Sequence, residues 1–328
     1  MLAYIVRRIL YAIPTLLGVN ILLFVLFFFI NKPDIMARKI LGEKRATPEM
    51  IEAWKREHGY HLPRFINTAE PFPAMFTQTI FGQKMLPLFL FRFGKSDRED
   101  AFLIGNELRR RIPYSLSLTV PIFIGGLIIY LASAMIIAFY RASYIDTAGL
   151  VICVIMMSIS TMFYILGGQY LIAIKLKLAP ISGFDRSFPG ALKFLALPIF
   201  IGIVSDIGAE IRYYRTIFLE EINKDYIRTA RAKGLGEGSV LFKHALKNAM
   251  IPILTNTVVH IPFLITGALL FENFFGIPGL GNFTIEAVNG QDFASVRSMV
   301  FLGSVLYVIS LICVDISYTL VDPRVRLK

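Results

Sequence analysis

The sequence predicts an all-α integral membrane protein with six transmembrane helices, and three observations carry that prediction. The 328 residues are 55% hydrophobic and only 17% charged, against about 25% charged in an ordinary soluble domain. The apolar residues gather into six stretches, each near the ~20 residues that cross a bilayer core. Lipid offers the backbone no hydrogen-bond partner, so each stretch must be helical.

The first stretch covers residues 9–30 and follows Arg7 and Arg8. It exceeds a signal-peptide core, and no small-residue cleavage site follows, so it reads as an uncleaved anchor. The others cover residues 114–139, 148–174, 192–211, 251–271 and 298–320. Residues 31–113 read as a long polar outer loop with short helices of its own. One opens at Thr47-Pro48-Glu49, with proline in the first turn. Residues 72–93 are rich in phenylalanine but interrupted by Pro73, Lys84 and Pro87. They read as interfacial or packed on other helices, not as a seventh span. Residues 212–250 read as a polar, basic loop. The organisation is therefore an N-terminal anchor at 1–30, a loop region at 31–113, and a five-helix core at 114–328 containing the loop 212–250.

The net charge of +11 does not point to nucleic acid, because the basic residues sit between apolar blocks. There they act as topology signals and as partners for phospholipid headgroups. Arg7, Arg8, Arg141, eight Lys or Arg in 212–250, and Arg324, Arg326 and Lys328 fall on one side. The positive-inside rule makes that side cytoplasmic, with both termini. Arg109-Arg110-Arg111 then falls on the outer face, just before the second helix. The rule weakens in loops this long. Cys153 and Cys313 lie in apolar stretches and read as small packing residues, not a disulfide or zinc framework.

The segment from Asn223 to Pro252 reads as two short helices around a glycine break at 234–238. Ala230 and Ala232 are small enough for another surface to approach closely. Arg228, Arg231 and Lys233 supply polar anchoring. Physics alone equally allows a basic amphipathic loop resting on lipid headgroups.

DYIRTARAKGL at 225–235 and HALKNA at 244–249, followed by Pro252, closely resemble the ATPase-coupling loop of bacterial ABC importer permeases. The version is that of the oligopeptide, dipeptide and nickel family. Where the general importer motif begins Glu-Ala-Ala, this chain has Arg228-Thr229-Ala230, as that subfamily does. The resemblance extends through residues 1–19, His61-Leu62-Pro63, FGKS at 93–96, RIPYSL at 111–116, PISG at 180–183, FGIPGLG at 275–281 and Asp322-Pro323-Arg324.

The resemblance implies a type I ABC importer permease-like fold in the bacterial inner membrane, with a non-catalytic role. It implies a second homologous permease, two cytoplasmic ATPase subunits and an exported or lipid-anchored substrate-binding protein. It assigns ATPase coupling to Asp225, Tyr226, Arg228, Thr229, Ala230, Arg231, Ala232, Gly234, Leu235, His244 and Asn248. ATP and Mg would be held by the partners, with no cofactor on this chain. The family carries dipeptides, longer peptides, nickel chelates and some sugars.

The remaining residues are consistent with that reading. Gly94-Lys95-Ser96 ends like a P-loop, but Phe89 stands where the first glycine is needed. Asp206 and Glu210 lie one helical turn apart within the fourth span, where charge is costly. They either line the pathway and favour a cation such as a peptide amino terminus, or pair with Arg212, Arg215 or a partner subunit. Asp315 reads as a structural hydrogen-bonding group. His260, beside Pro262, reads as satisfying a carbonyl freed by the proline. His58 and His61 have no third ligand for a metal. Gly276, Pro278, Gly279 and Gly281 predict a tight turn near the outer mouth. An ion-coupled secondary transporter or channel would also use six helices and intramembrane acids, but leaves the 223–250 segment unexplained.

Overall fold

The computed structural model describes residues 2–42, 46–98, 101–185, 187 and 190–321. Among these, regular structure is helical apart from one isolated bridge between Lys95 and Leu103. Helix α1 (Leu2–Val25) ends in a π-helical turn at Leu26–Ile30, and α2 (Pro33–Leu41) and α3 (Pro48–Glu57) follow. Short turns at Ala74–Thr77, Ile80–Lys84 and Leu86–Leu90 lead to α4 (Ile104–Phe139). Next come α5 (Tyr144–Met157), α6 (Thr161–Gly168) with a π-helical extension at Gln169–Lys175, α7 (Gly190–Ile222) and α8 (Asp225–Ala232). The chain re-enters helix at Glu237–Ser239 and passes a π-helical turn at Val240–Ala245 into α9 (Leu246–His260). It ends with α10 (Leu269–Phe275), α11 (Leu280–Asn289) and α12 (Phe293–Val321).

Five helical stretches among the described residues are long and apolar enough to cross a membrane: Leu10–Ile30, Ile104–Phe139, Gly190–Ile222, Glu237–Thr266 and Phe293–Ser317. A sixth arises if Tyr144–Met157 and Thr161–Lys175 form one span, bent by 89°. The third span expected at 148–174 is thus a bent pair of helices rather than one continuous helix. The break lies at Ser158-Ile159-Ser160. Ser158 Oγ donates to the Val154 carbonyl at 2.8 Å and Tyr164 Oη to the Met156 carbonyl at 2.9 Å, so side chains serve carbonyls at the bend.

Three other boundaries differ from expectation. Arg109, Arg110 and Arg111 lie inside α4 rather than before it. Thirty-six residues at 1.5 Å rise make α4 about 54 Å long, well beyond a ~30 Å core. Residues 212–222 continue α7 instead of opening a loop. Ile211, Tyr214, Ile217, Phe218 and Ile222 are buried along one stripe of it, while the charges that looked loop-like include exposed Arg212 and Glu220-side positions. The span expected at 251–271 stops at Thr266. Pro262 lacks the N–H a helix interior needs, and Gly267 adopts φ +78°.

Two compact units emerge: 1–113 with 282–309, and 114–281 with 310–328. In the first, Phe24, Phe28, Met36, Trp54, Tyr60, Met85 and Phe301 belong to one core. His58 stacks on Trp54 at 4.3 Å, with Nδ1 2.9 Å from the Trp54 carbonyl.

The same unit contains a buried polar knot. Asp292 caps α12, accepting from Ser295 N at 3.1 Å and Ser295 Oγ at 2.6 Å. It also accepts from Ser96 Oγ at 2.6 Å and Asp97 N at 3.1 Å. Asp97 accepts from Ala294 N at 2.9 Å and from Tyr60 Oη at 2.9 Å. Two carboxylates therefore meet the open N–H groups of one helix start. Buried Arg297 lies over the Phe28 ring at 5.5 Å and attracts Asp97 electrostatically.

In the second unit, α5 packs along α7. Gly208 permits this, since a Cβ there would meet the Cys153 carbonyl at 2.5 Å. Arg215 joins them, donating to Asp146 from Nε and Nη2 at 2.7 and 2.8 Å.

Candidate functional site

The segment for which the resemblance implies ATPase contact is a short amphipathic helix with two distinct faces. Ile227 and Ala230 are buried in a core with Phe218, Val240, Leu241, Ala245 and Ala249. Asp225, Arg228, Thr229, Ala232, Gly234 and Leu235 are exposed. This corrects the reading of Ala230: its small size serves close packing on its own chain, whereas Ala232 faces outward.

The inner face is also pinned by polar contacts. Buried Glu221, at the end of α7, accepts from Tyr226 Oη at 2.5 Å and from Lys224 Nζ. Tyr226 further bonds to the Asn248 side chain, which ties α8 to α9. Burial, reinforced by Glu221, pushes the Tyr226 hydroxyl up to about 12, so it stays a donor at neutral pH. His244 is half-buried beside this core.

Gly234 ends α8. It adopts φ +79°, and its N–H donates to the Arg231 carbonyl while Leu235 N–H donates to the Ala230 carbonyl. This is the Schellman arrangement, which wants glycine at that position. Arg231 does not reach outward: its Nε and Nη2 donate to Glu237 at 2.6 and 3.0 Å across the turn. Arg228 is different. Its side chain is 75% exposed, with only a long 3.5 Å contact to Asp225.

Asp206 and Glu210 line a cavity of about 300 Å³ within the second unit. Tyr130 of α4, Tyr214 of α7, Thr257 and His260 of α9, and Phe271 of α10 also line it. The pairing of these acids with Arg212 or Arg215 is not found. Arg215 is committed to Asp146, and among the described residues no ion pair involves Asp206 or Glu210. Ser205 Oγ approaches Asp206 at 3.4 Å, and Tyr214 bonds to Glu210. His260 ends α9 and lines the same cavity as the two acids; among the described residues it is not found bonded to a carbonyl freed by Pro262. Sequence reading missed its place in this set, because α7 and α9 come together only in the fold.

The FGIPGLG turn is a wrap rather than an open rim. Gly276, at φ +66°, is exposed, but Ile277, Gly279, Leu280 and Gly281 are buried. Pro278 is half-buried. Gly281 belongs to the first turn of α11 rather than to the tight turn. The segment closes on Glu272, fully buried and missed in the sequence. A Cβ at Gly279 would meet Glu272 Oε2 at 2.4 Å, and one at Gly281 would meet the Leu269 Cα at 2.7 Å. Two other segments that carry the resemblance meet here. Leu280 N–H donates to Ser115 Oγ at 2.7 Å, and Gly183 N–H to the Phe275 carbonyl at 2.8 Å. Asp322-Pro323-Arg324, with Arg326 and Lys328, lie outside the described residues.

The family model described as binding-protein-dependent transport system inner membrane component matches residues 114–327. The chain is 32% identical over 334 residues to a Brucella abortus protein provisionally named a peptide transport system permease, covering 99% of each chain. It is 30% identical over 350 residues to the dipeptide transport system permease protein DppB of Alkalihalophilus pseudofirmus, covering 99% of this chain and 100% of the relative. It is 30% identical over 329 residues to DppB of Bacillus subtilis, covering 100% and 99%. The chain therefore belongs to the binding-protein-dependent transport system inner membrane components, the multi-pass inner-membrane permeases of ABC importers.

Proposed function

We propose that this permease carries peptides inward and takes its drive from cytoplasmic ATPase subunits through α8. The observation that carries the coupling half is the two-faced construction of that helix. Its inner face is fastened to α7 and α9 through Tyr226, Glu221 and Asn248. Its outer face offers Asp225, Arg228, Thr229 and Ala232 to a partner. A push on the outer face is thereby handed to two long helices instead of being absorbed by a loose loop.

In this reading two permeases form the pathway, two ATPase subunits each receive one coupling helix, and a binding protein delivers substrate on the outer side. Both chain termini and α8 face the cytoplasm. ATP and Mg are handled by the ATPase subunits. The peptide substrate is supported by the names of the relatives and by the cavity. Among the described residues no Arg or Lys pairs with Asp206 or Glu210 in this largely apolar cavity, and an incoming peptide brings a cationic amino terminus that complements them.

The test is Arg228→Glu in the complete transporter reconstituted in proteoliposomes. Arg228 holds no buried contact, so membrane insertion and folding should be unchanged. Peptide-stimulated ATP hydrolysis and uptake should fall at least about tenfold, corresponding to ~1.4 kcal/mol of lost interaction. Full coupling in that variant would overturn the assignment of α8. Normal coupling without peptide stimulation, but with stimulation by another solute, would overturn the substrate.

A further inference from the structure

Arg109, the first of the arginine triplet that sits awkwardly with the charge rule, lines a second cavity, confined to the first unit. Its volume is about 610 Å³. Arg92 and Arg109 line it, with Phe91, Phe93, Leu103 and Leu302 as apolar walls. The three consecutive arginines have different fates. Arg110 and Arg111 are held by Glu107 at 2.8 and 2.5 Å, and Arg111 also by Glu286 at 2.8 Å. Among the described residues, Arg109 and Arg92 have no carboxylate partner. Both are exposed, as are the rim residues Phe91 and Leu103 at 57% and 52%.

Two unneutralised cations in an aromatic and aliphatic cleft ask for a ligand that is anionic at one end and apolar at the other. Gly105 and Asn106, in the first turn of α4, line the same cavity, and the positive end of that helix adds to the field. The apolar part of α4 begins just beyond Arg111, which puts the cavity at the level where headgroups lie. A soluble anion would leave the apolar wall wet. A protein partner would have to bring an acidic group with an apolar one beside it; a membrane presents that combination everywhere.

We propose that Arg92 and Arg109 form a headgroup site for an anionic phospholipid, with its acyl chain against Phe91, Leu103 and Leu302. The charge complementarity is local: among the described residues Arg92 and Arg109, which line the cleft, have no carboxylate partner, while neighbouring Arg110 and Arg111 are paired with Glu107 and Glu286. The site gives Arg109, of the misplaced basic triplet, a role independent of topology.

The experiment compares wild type, Arg92→Gln/Arg109→Gln and the control Arg110→Gln, each purified as the complete transporter. Phosphatidylglycerol and phosphatidylcholine are added in detergent, and retained lipid is counted by native mass spectrometry. Wild type and Arg110→Gln should retain phosphatidylglycerol over phosphatidylcholine at least about fivefold, and the double variant should lose that preference. Thermal unfolding gives a second reading: phosphatidylglycerol should raise the midpoint of wild type and not of the double variant. Three results would overturn the proposal: equal retention in wild type and double variant, equal protection by inorganic phosphate, or loss of a protein subunit from the double variant with lipid retention intact.

Discussion

The molecule contains two pairs of aspartate or glutamate in costly surroundings, and they are treated in opposite ways. Asp97 and Asp292 in the first unit are almost wholly buried, yet every approach to them is filled. Backbone N–H groups of α12, the hydroxyls of Ser96 and Ser295, and Tyr60 donate to them. Asp206 and Glu210 in the second unit lie in apolar surroundings, receive no Lys or Arg, and face an open cavity. Buried polar groups in a stable fold are expected to be satisfied. The first pair follows that expectation and serves the architecture. The second is not closed in: Asp206 is exposed and Glu210 half-buried, with Ser205 and Tyr214 as their hydrogen-bond partners, and the cavity beside them leaves room for a solute cation.

The largest effect should come from breaking the satisfied pair. Asp292→Ala removes a helix cap, worth about 1 kcal/mol. It also strands several buried donors at about 1–3 kcal/mol each. A loss above about 3 kcal/mol is expected, seen as a steep fall in monodisperse protein and in the thermal midpoint. If Asp292→Ala is as stable as wild type, the knot is not structural.

The converse test neutralises the pair that faces the cavity. Asp206→Asn/Glu210→Gln should leave the thermal midpoint within error, because neither acid is paired with Lys or Arg. Uptake of a peptide with a free amino terminus should drop about tenfold, or ~1.4 kcal/mol. Uptake of the N-acetylated peptide should be unaffected. Equal losses for both peptides would remove the charge-recognition role.

A smaller effect separates holding the coupling helix from presenting it. Tyr226→Phe deletes one hydroxyl bonded to Glu221 and Asn248, costing about 0.5–1.5 kcal/mol. The α8 amides should exchange hydrogen faster, while the exposed face is chemically unchanged. Coupling should weaken less than in Arg228→Glu. The reverse order would mean that fastening matters more than contact.

The smallest effect concerns pH. Burial holds the Asp97 carboxyl above the ordinary carboxylate range, outweighing Arg297 and Tyr60. A raised value in the folded state means that its contribution to stability is complete below the unfolded value of about 3.9 and is lost as pH rises through the folded one. The thermal midpoint should therefore carry a component that declines over that window, and Asp97→Asn should flatten it. An unchanged pH profile in Asp97→Asn would assign the slope to another group.

Much of this was legible in the chain. The apolar stretches, the helix opening at Thr47-Pro48-Glu49, the helix at 225–232 and its glycine stop all follow from local chemistry. Misreadings occurred where charge was taken for loop. Residues 212–222 carry charges on one face and a buried stripe on the other, so α7 runs on. Arg109–Arg111 look like a loop because three consecutive charges hide the helix, and one of the partners of Arg111, Glu286, is distant in sequence. The bend at 158–160 leaves a weak trace, two serines flanking an isoleucine.

The sequence by itself determined that this is a helical membrane protein with a short basic helix between two spans. Those properties depend on composition and on contacts three or four residues apart. Only the tertiary structure decided which face of that helix is offered outward, and that His260 joins Asp206 and Glu210. It also decided that the glycines at 279 and 281 close around Glu272. Each of these depends on segments far apart in sequence reaching contact, and hydropathy and spacing carry no record of which segments those are.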